Sequence, residues 1–116
     1  MTDQSDPNAS LARLLRLAEQ RGLAGVEMTT ATNGPALHVA DTAFVQVADA
    51  ATAMLHCPAD QKVLLMEISP DLYFETDDLV GRDIMLIRLD RISDEELSLR
   101  LHDAWMFKAP ERLKKA

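Results

Sequence analysis

His56-Cys57 is the pair in this chain that comes nearest to a nucleophile beside a base. A catalytic thiol needs a lowered pKa and a positioned base. Neighbours in a strand point to opposite faces, so these two side chains do not meet. Cys57 therefore reads as a structural residue at a strand end before Pro58. His38, His56 and His102 lack the short recurrent spacings of zinc ligands. Asp71, Glu75, Asp77 and Asp78 lack the alternating Asp/Asn pattern and glycine of a calcium loop, and read as a solvated hairpin loop. Gly34 and Gly81 are isolated, with neither a Walker A nor a dinucleotide-binding glycine pattern around them. No catalytic residue, cofactor site or metal ligand emerges from these patterns.

The basic residues offer a different chemistry. Arg88, Arg100, Lys108, Arg112, Lys114 and Lys115 are the candidates for contact with a nucleic-acid backbone, interleaved with Asp90, Glu95, Asp103 and Glu111. Such affinity is carried mostly by cations neutralising phosphates. The net charge of −7 opposes it, as it opposes an anionic membrane. The charge is also uneven. Between Glu27 and Leu79 the only basic residue is Lys62, against Glu27, Asp41, Asp49, Asp60, Glu67, Asp71, Glu75, Asp77 and Asp78. The middle of the chain is an acidic zone.

At 116 residues the chain has room for one domain, taken as residues 1–116, with a disordered start over 1–6 and a frayed end over 111–116. Aromatic residues make up only 4%, so the core must be aliphatic. A single cysteine excludes an intrachain disulfide. No apolar run approaches the roughly 20 residues of a membrane span. The polar, acidic N-terminus lacks the chemistry of a secretory signal. A cytoplasmic protein is expected.

The elements that must position these residues can be read from the pattern. Asp6-Pro7 opens a first helix, with Leu11, Leu14, Leu15 and Ala18 on one face and Gly22 as its C-cap. Residues 26–30 form a short strand or an extended lead-in, before a turn cluster at Asn33-Gly34-Pro35. Strands at 36–40, 43–47 and 52–56 form a meander. Pairing them through their turns puts Leu37, Val39, Phe44, Ala53 and Leu55 on one face, with Gln46 at its edge. The other face carries Ala36, His38, Ala40, Ala43, Val45, Val47, Thr52, Met54 and His56.

Pro58 begins a second helix with Val63, Leu64, Met66 and Ile68 as its buried stripe. Strands follow at 72–76 and 84–89, the latter apolar on both faces and so central. Ser93 and Glu96 form a capping box for the last helix, with Ile92 stapling onto Leu97. Leu97, Leu101, Ala104 and Trp105 give its buried face, and Pro110 interrupts it.

The resulting class is α+β, in the order α-β(3)-α-β(2)-α, with an antiparallel sheet and helices packed mainly on one side. Two sequence stretches carry a family resemblance. Asn33-Gly34-Pro35-Ala36-Leu37-His38-Val39 is followed by Ala43-Phe44-Val45, and the chain closes with Ala104-Trp105-Met106-Phe107-Lys108-Ala109-Pro110-Glu111-Arg112-Leu113. With Gly81 ahead of an apolar strand, these resemble the small bacterial YjbR/MmcQ proteins over residues 26–113. The chain departs from that pattern at Leu37, where an aromatic is common, near Ile84, where a Trp is common, and at Asp41-Thr42, where a basic residue often stands. The resemblance implies the fold just described, which is like that of secretion chaperones, and a DNA-binding label. It implies no catalytic residues.

Three functions are carried forward. The first is a non-catalytic interaction module that binds a protein, a peptide or a second copy through the second sheet face, at His38, Val45, Val47, Met54 and His56. The second is DNA binding through the basic residues named above. The third is a small enzyme with a pocket on the His-bearing face.

Overall fold

The computed structural model describes residues 7–31, 34–49 and 51–114. A six-stranded, wholly antiparallel sheet carries helices on one side. In chain order the elements are α1 (Pro7–Gln20), β1 (Val26–Ala31), β2 (Gly34–Val39), β3 (Thr42–Asp49), β4 (Thr52–His56), α2 (Ala59–Ile68), β5 (Tyr73–Phe74), β6 (Ile84–Arg88), α3 (Asp94–Lys108) and α4 (Glu111–Lys114). A 3-10 turn at Asp77–Leu79 lies between β5 and β6. The sheet order β1-β2-β3-β4-β6-β5 makes β6 internal, as its apolar run predicts. The expected order holds with one strand added. Residues 26–31 pair with β2 along their whole length, rather than serving as a lead-in.

The helix ends follow local chemistry. Gly22, at φ +72°, lets the Leu23 N–H reach the Ala18 carbonyl and its own N–H reach that of Glu19, closing α1. The Asp6 cap and Asn33 lie outside the described residues. Ser93 Oγ accepts from the Glu96 N–H and starts α3 over buried Ile92 and Leu97. The Glu96 carboxylate does not complete the capping box. It accepts from the Tyr73 hydroxyl at 2.5 Å. At the other end, residues 111–114 form a helical turn rather than a frayed tail, and Leu113 packs against the core.

The β2–β3 hairpin turns through Ala40 and Asp41, both at positive φ, the geometry that matches the right-handed twist of paired strands. Two residues later the register shifts. Leu37 pairs with Val45 and His38 with Ala43, which leaves Phe44 as a bulge. This one residue moves the rest of β3. Leu37, Val45, Leu55 and Met85 share a row on the helix side, followed by Val47, Ala53, Ile87 and Tyr73. Phe44 and Val45 are both fully buried, and Val47 is 2% exposed. Val45 and Val47 therefore belong to the core and not to the second face. Gln46 moves the opposite way, onto the helix-free face. A two-residue hairpin fixed the expected register, and the bulge shifts it by one.

α1 and α3 cross β2, β3 and β4. α2 joins the same side through half-buried Leu65 and Met66. Its own polarity is inverted. Lys62 is 1% exposed, while Val63, Leu64 and Ile68 of the expected buried stripe are 48%, 58% and 74% exposed. Positions 63, 64, 66 and 68 spread over about 200° of a helix, too wide for one buried stripe. The helix instead buries 62, 65 and 66. The lysine stem packs inward, and its ammonium finds partners there.

Candidate interaction surfaces

Three regions of the molecule gather side chains that could act on another molecule. The first is the helix-free face of the sheet. One row crosses all six strands: Thr29, Ala36, Gln46, Met54, Leu86 and Phe74. Thr52 and Arg88 form a neighbouring pair, as do His56 and Ile84, while His38 stands between Glu27 and Ala43. The Arg88 guanidinium lies 4.3 Å above the Phe74 ring. The Thr29 hydroxyl and His38 Nδ1 share a hydrogen bond at 3.0 Å. Most of these side chains are half-exposed, and Ala36 and Leu86 are buried. The face is shallow, mixed in polarity and tied together by its own contacts.

Of the sequence-predicted face, His38, Met54 and His56 lie here. Val45 and Val47 do not. His56 is held below its ordinary pKa, first by partial burial and then by the charge of Lys108, with Asp83 opposing. It is a mostly neutral imidazole near pH 7. His102 is elsewhere, stacked beside Trp105 on α3 with ring centroids 6.5 Å apart. Trp105 Nε1 donates to the Ala24 carbonyl.

The second region is a polar seam between α2, α3 and the β5–β6 connection. Lys62 Nζ donates to the carbonyls of Leu79 at 2.8 Å and Arg82 at 2.7 Å, and lies 2.7 Å from Glu75 Oε1. Two carbonyls accept hydrogen bonds from the ammonium and the Glu75 carboxylate balances its charge, although Glu75 Oε1 accepts no hydrogen bond itself. Gln61 Nε2 donates to Asp103, which also pairs with Arg100 at 3.4 Å. Cys57 Sγ borders this seam. Burial and then Asp103 push its thiol pKa up to about 11, against the weaker opposing pull of Arg100 and Lys62. That is the reverse of an activated nucleophile. Tyr73 is also pushed up, by burial and by donating to Glu96. Among the described residues, no group of three or more His, Cys, Asp or Glu side chains is placed to hold a metal ion. Nothing in the sequence pattern pointed to Lys62–Glu75 or Tyr73–Glu96. The one available signal was an isolated lysine within an acidic zone.

The third region is the outer side of α2. Leu64 and Ile68 are exposed one turn apart, Ile68 lines a groove with Leu72 and Arg91, and Leu65 lines another with Ser93, Glu95, Glu96, Leu99 and Arg100. Leu99 is also exposed.

The basic residues lie on separate elements, β6, α3 and α4, and of Lys114 only the backbone is described. Arg88 is on the open sheet face. The Arg100 side chain is 16% exposed and turned to Asp103. Lys108 is at the end of α3, over the Phe107 ring. Arg112 is exposed on α4, and Lys115 lies outside the described residues. No helix among the described residues is long and apolar enough to cross a membrane. Comparison with protein-family models, with curated proteins and with solved structures gives no match for this chain.

Proposed function

We propose that this protein is a non-catalytic interaction module of YjbR/MmcQ type whose helix-free sheet face docks a protein or peptide. The observation that carries the reading is the asymmetry of the sheet. Helices cover one side, while Gln46, Met54, Phe74 and Arg88 remain accessible on the other. A shallow face of half-exposed apolar and polar side chains suits a broad protein contact better than a small ligand, which needs a concave site. The seam chemistry supports the same reading, because burial pushes the one thiol up to about 11 and the buried ammonium is held by two carbonyls and the Glu75 carboxylate. The surface grooves lined by Leu17 and Arg21, by Ile68 and Arg91, and by Leu65 and Arg100 include neither His38 nor His56. A cytoplasmic setting accords with a lone, buried, unpaired cysteine.

DNA binding has less support. Its candidate cations are dispersed, and Arg100 is committed to Asp103. The two readings separate in one pair of assays. Peptides selected by display on the immobilised protein are re-tested on Met54→Glu, and a labelled duplex is titrated at low and near-physiological salt. The sheet-face reading expects the selected peptides to lose affinity for Met54→Glu while the variant stays folded. Retention of affinity by all of them would remove it. Duplex binding that falls steeply with salt would put DNA in its place.

A further inference from the structure

We propose that the outward face of α2 is a second docking site, and that its occupant is a cationic amphipathic helix of another protein. This site is independent of the sheet-face reading. The apolar part is explicit. Val63, Leu64 and Ile68 are exposed on a ten-residue helix, and Ile68 is the most exposed of the large apolar side chains among the described residues. Leu64 and Ile68 are one turn apart on α2. Ile68 also lines a shallow groove with Leu72 and Arg91, and Leu65 of the same helix lines another with Leu99. Exposed apolar side chains one turn apart suit the spaced apolar anchors of a partner helix.

The charge around this apolar surface selects the partner. Asp60 and Glu67 are exposed on α2 itself, Asp71 is exposed just beyond it, and Glu95 lines the groove across from it. The acidic zone has one cation, Lys62, and that cation is buried and consumed by Glu75 and two carbonyls. No positive charge on α2 reaches its surface. Arg100, which lines the same groove as Glu95, is turned to Asp103, and the exposed cations nearby are Arg91, beside Asp71 and Ile68, and Arg82, whose carbonyl Lys62 holds. An apolar strip with a carboxylate rim is complementary to a helix with Leu-type anchors and a Lys/Arg rim. A second copy of this chain fits worse. Pairing α2 with itself sets Asp60 and Glu67 near their own counterparts, between two molecules of charge −7.

The test uses the full chain and a fluorescein-labelled peptide of leucine and lysine, with leucines at helical i, i+3, i+4, i+7 spacing. A control peptide has every lysine replaced by glutamate. Anisotropy is read at low and near-physiological salt for the wild type, Leu64→Ser/Ile68→Ser, Glu67→Lys and Met54→Glu. The site predicts binding of the lysine peptide alone. Affinity should fall on the order of tenfold in Leu64→Ser/Ile68→Ser, fall again in Glu67→Lys, and stay unchanged in Met54→Glu. Leu64, Glu67 and Ile68 are exposed and Met54 is half-buried on the helix-free face, so all three variants should keep the wild-type circular dichroism spectrum. Equal binding to wild type and Leu64→Ser/Ile68→Ser would show only attraction to net charge and would overturn the site. So would absence of binding, or loss in Met54→Glu alone. Self-association of the wild type in sedimentation equilibrium, abolished in Leu64→Ser/Ile68→Ser, would make the occupant a second copy and overturn the proposal as well.

Discussion

Replacing Lys62 with methionine isolates the buried ammonium from the stem that carries it. Methionine keeps an unbranched apolar chain in the space the lysine methylenes fill. What disappears is a charged donor to the Leu79 and Arg82 carbonyls at 2.8 and 2.7 Å and a partner for Glu75 at 2.7 Å. Lys62 is 1% exposed, so water cannot take its place without opening the seam. Removing one member of a buried pair leaves its partner uncompensated and costs about 3–5 kcal/mol. Domains of this size have only about 5–15 kcal/mol of stability in total. With a urea m-value of about 1–3 kcal/mol/M, Lys62→Met should lower the unfolding midpoint by about 1–5 M. Glu75→Gln leaves the ammonium its two carbonyls and should cost less. The double variant should lose less than the two single losses added, with a coupling of about 1–3 kcal/mol. Urea denaturation followed by Trp105 fluorescence and by circular dichroism measures all four proteins. A loss below about 1 kcal/mol in Lys62→Met, the size of a solvent-exposed pair, would mean the ammonium is hydrated and the seam is open. Strict additivity would mean the pair is not coupled.

Three further expectations follow from the fold and the titrating groups. Val45→Glu puts a carboxylate into a fully buried core position and should prevent folding, whereas Met54→Glu on the other face should leave the circular dichroism spectrum unchanged; equal tolerance of both would refute the bulged register at Phe44. The Cys57 thiol, at about 11 in the fold against 9.0 unperturbed, keeps its proton where the unfolded chain loses it. Its contribution is complete below pH 9 and lost between pH 9 and about 11, so wild-type stability should fall relative to Cys57→Ala across that window, and alkylation by iodoacetamide should gain its rate there rather than near pH 8.5. His56 is depressed in the fold, so its contribution is present above the unfolded value of 6.5 and lost as pH falls below it. Lys108→Ala should raise the His56 midpoint in a proton NMR titration of the imidazole resonances, and an unchanged midpoint would remove Lys108 as a cause.

The fold was legible wherever local chemistry and burial agree. Leu11, Leu14 and Ala18 line α1, Gly22 ends it, Ser93 caps α3, and the apolar run Ile84-Met85-Leu86-Ile87 is an inner strand. The candidate face was half legible, and the reason is a single residue. Strand faces are assigned by counting in twos, so every assignment past an unseen bulge is inverted. His38 precedes the shift and kept its face, Val45 and Val47 changed sides, and a second irregularity between Val47 and Asp49 returned Met54 and His56 to the face expected of them. Nothing in Ala43-Phe44-Val45 announces a bulge, because an aromatic beside a β-branched residue is ordinary strand composition. The seam was illegible for another reason. Tyr73 to Glu96 and Lys62 to Glu75 are contacts between elements, and no local spacing encodes them.

α2 is where the sequence and the structure disagree most, and the disagreement has direction. A helix that places a lysine inside and a valine, a leucine and an isoleucine outside reverses the pattern that stabilises a surface helix. Such reversals concentrate at functional sites, where one local rule is broken and the cost is met elsewhere. Here the inward lysine and the outward apolar ridge have one joint effect. If Lys62 were not held inside, α2 would carry a free cation within the acidic zone. Turned inward, it fixes the Leu79–Arg82 segment beneath the helix and leaves the surface of α2 wholly acidic and apolar. The same residue thereby couples the stability of the seam to the electrostatic character of the outer face. The Lys62→Met and Glu67→Lys variants address these two roles separately: the first should weaken the fold without placing any new charge on the ridge, and the second should change the charge at the ridge without loosening the fold.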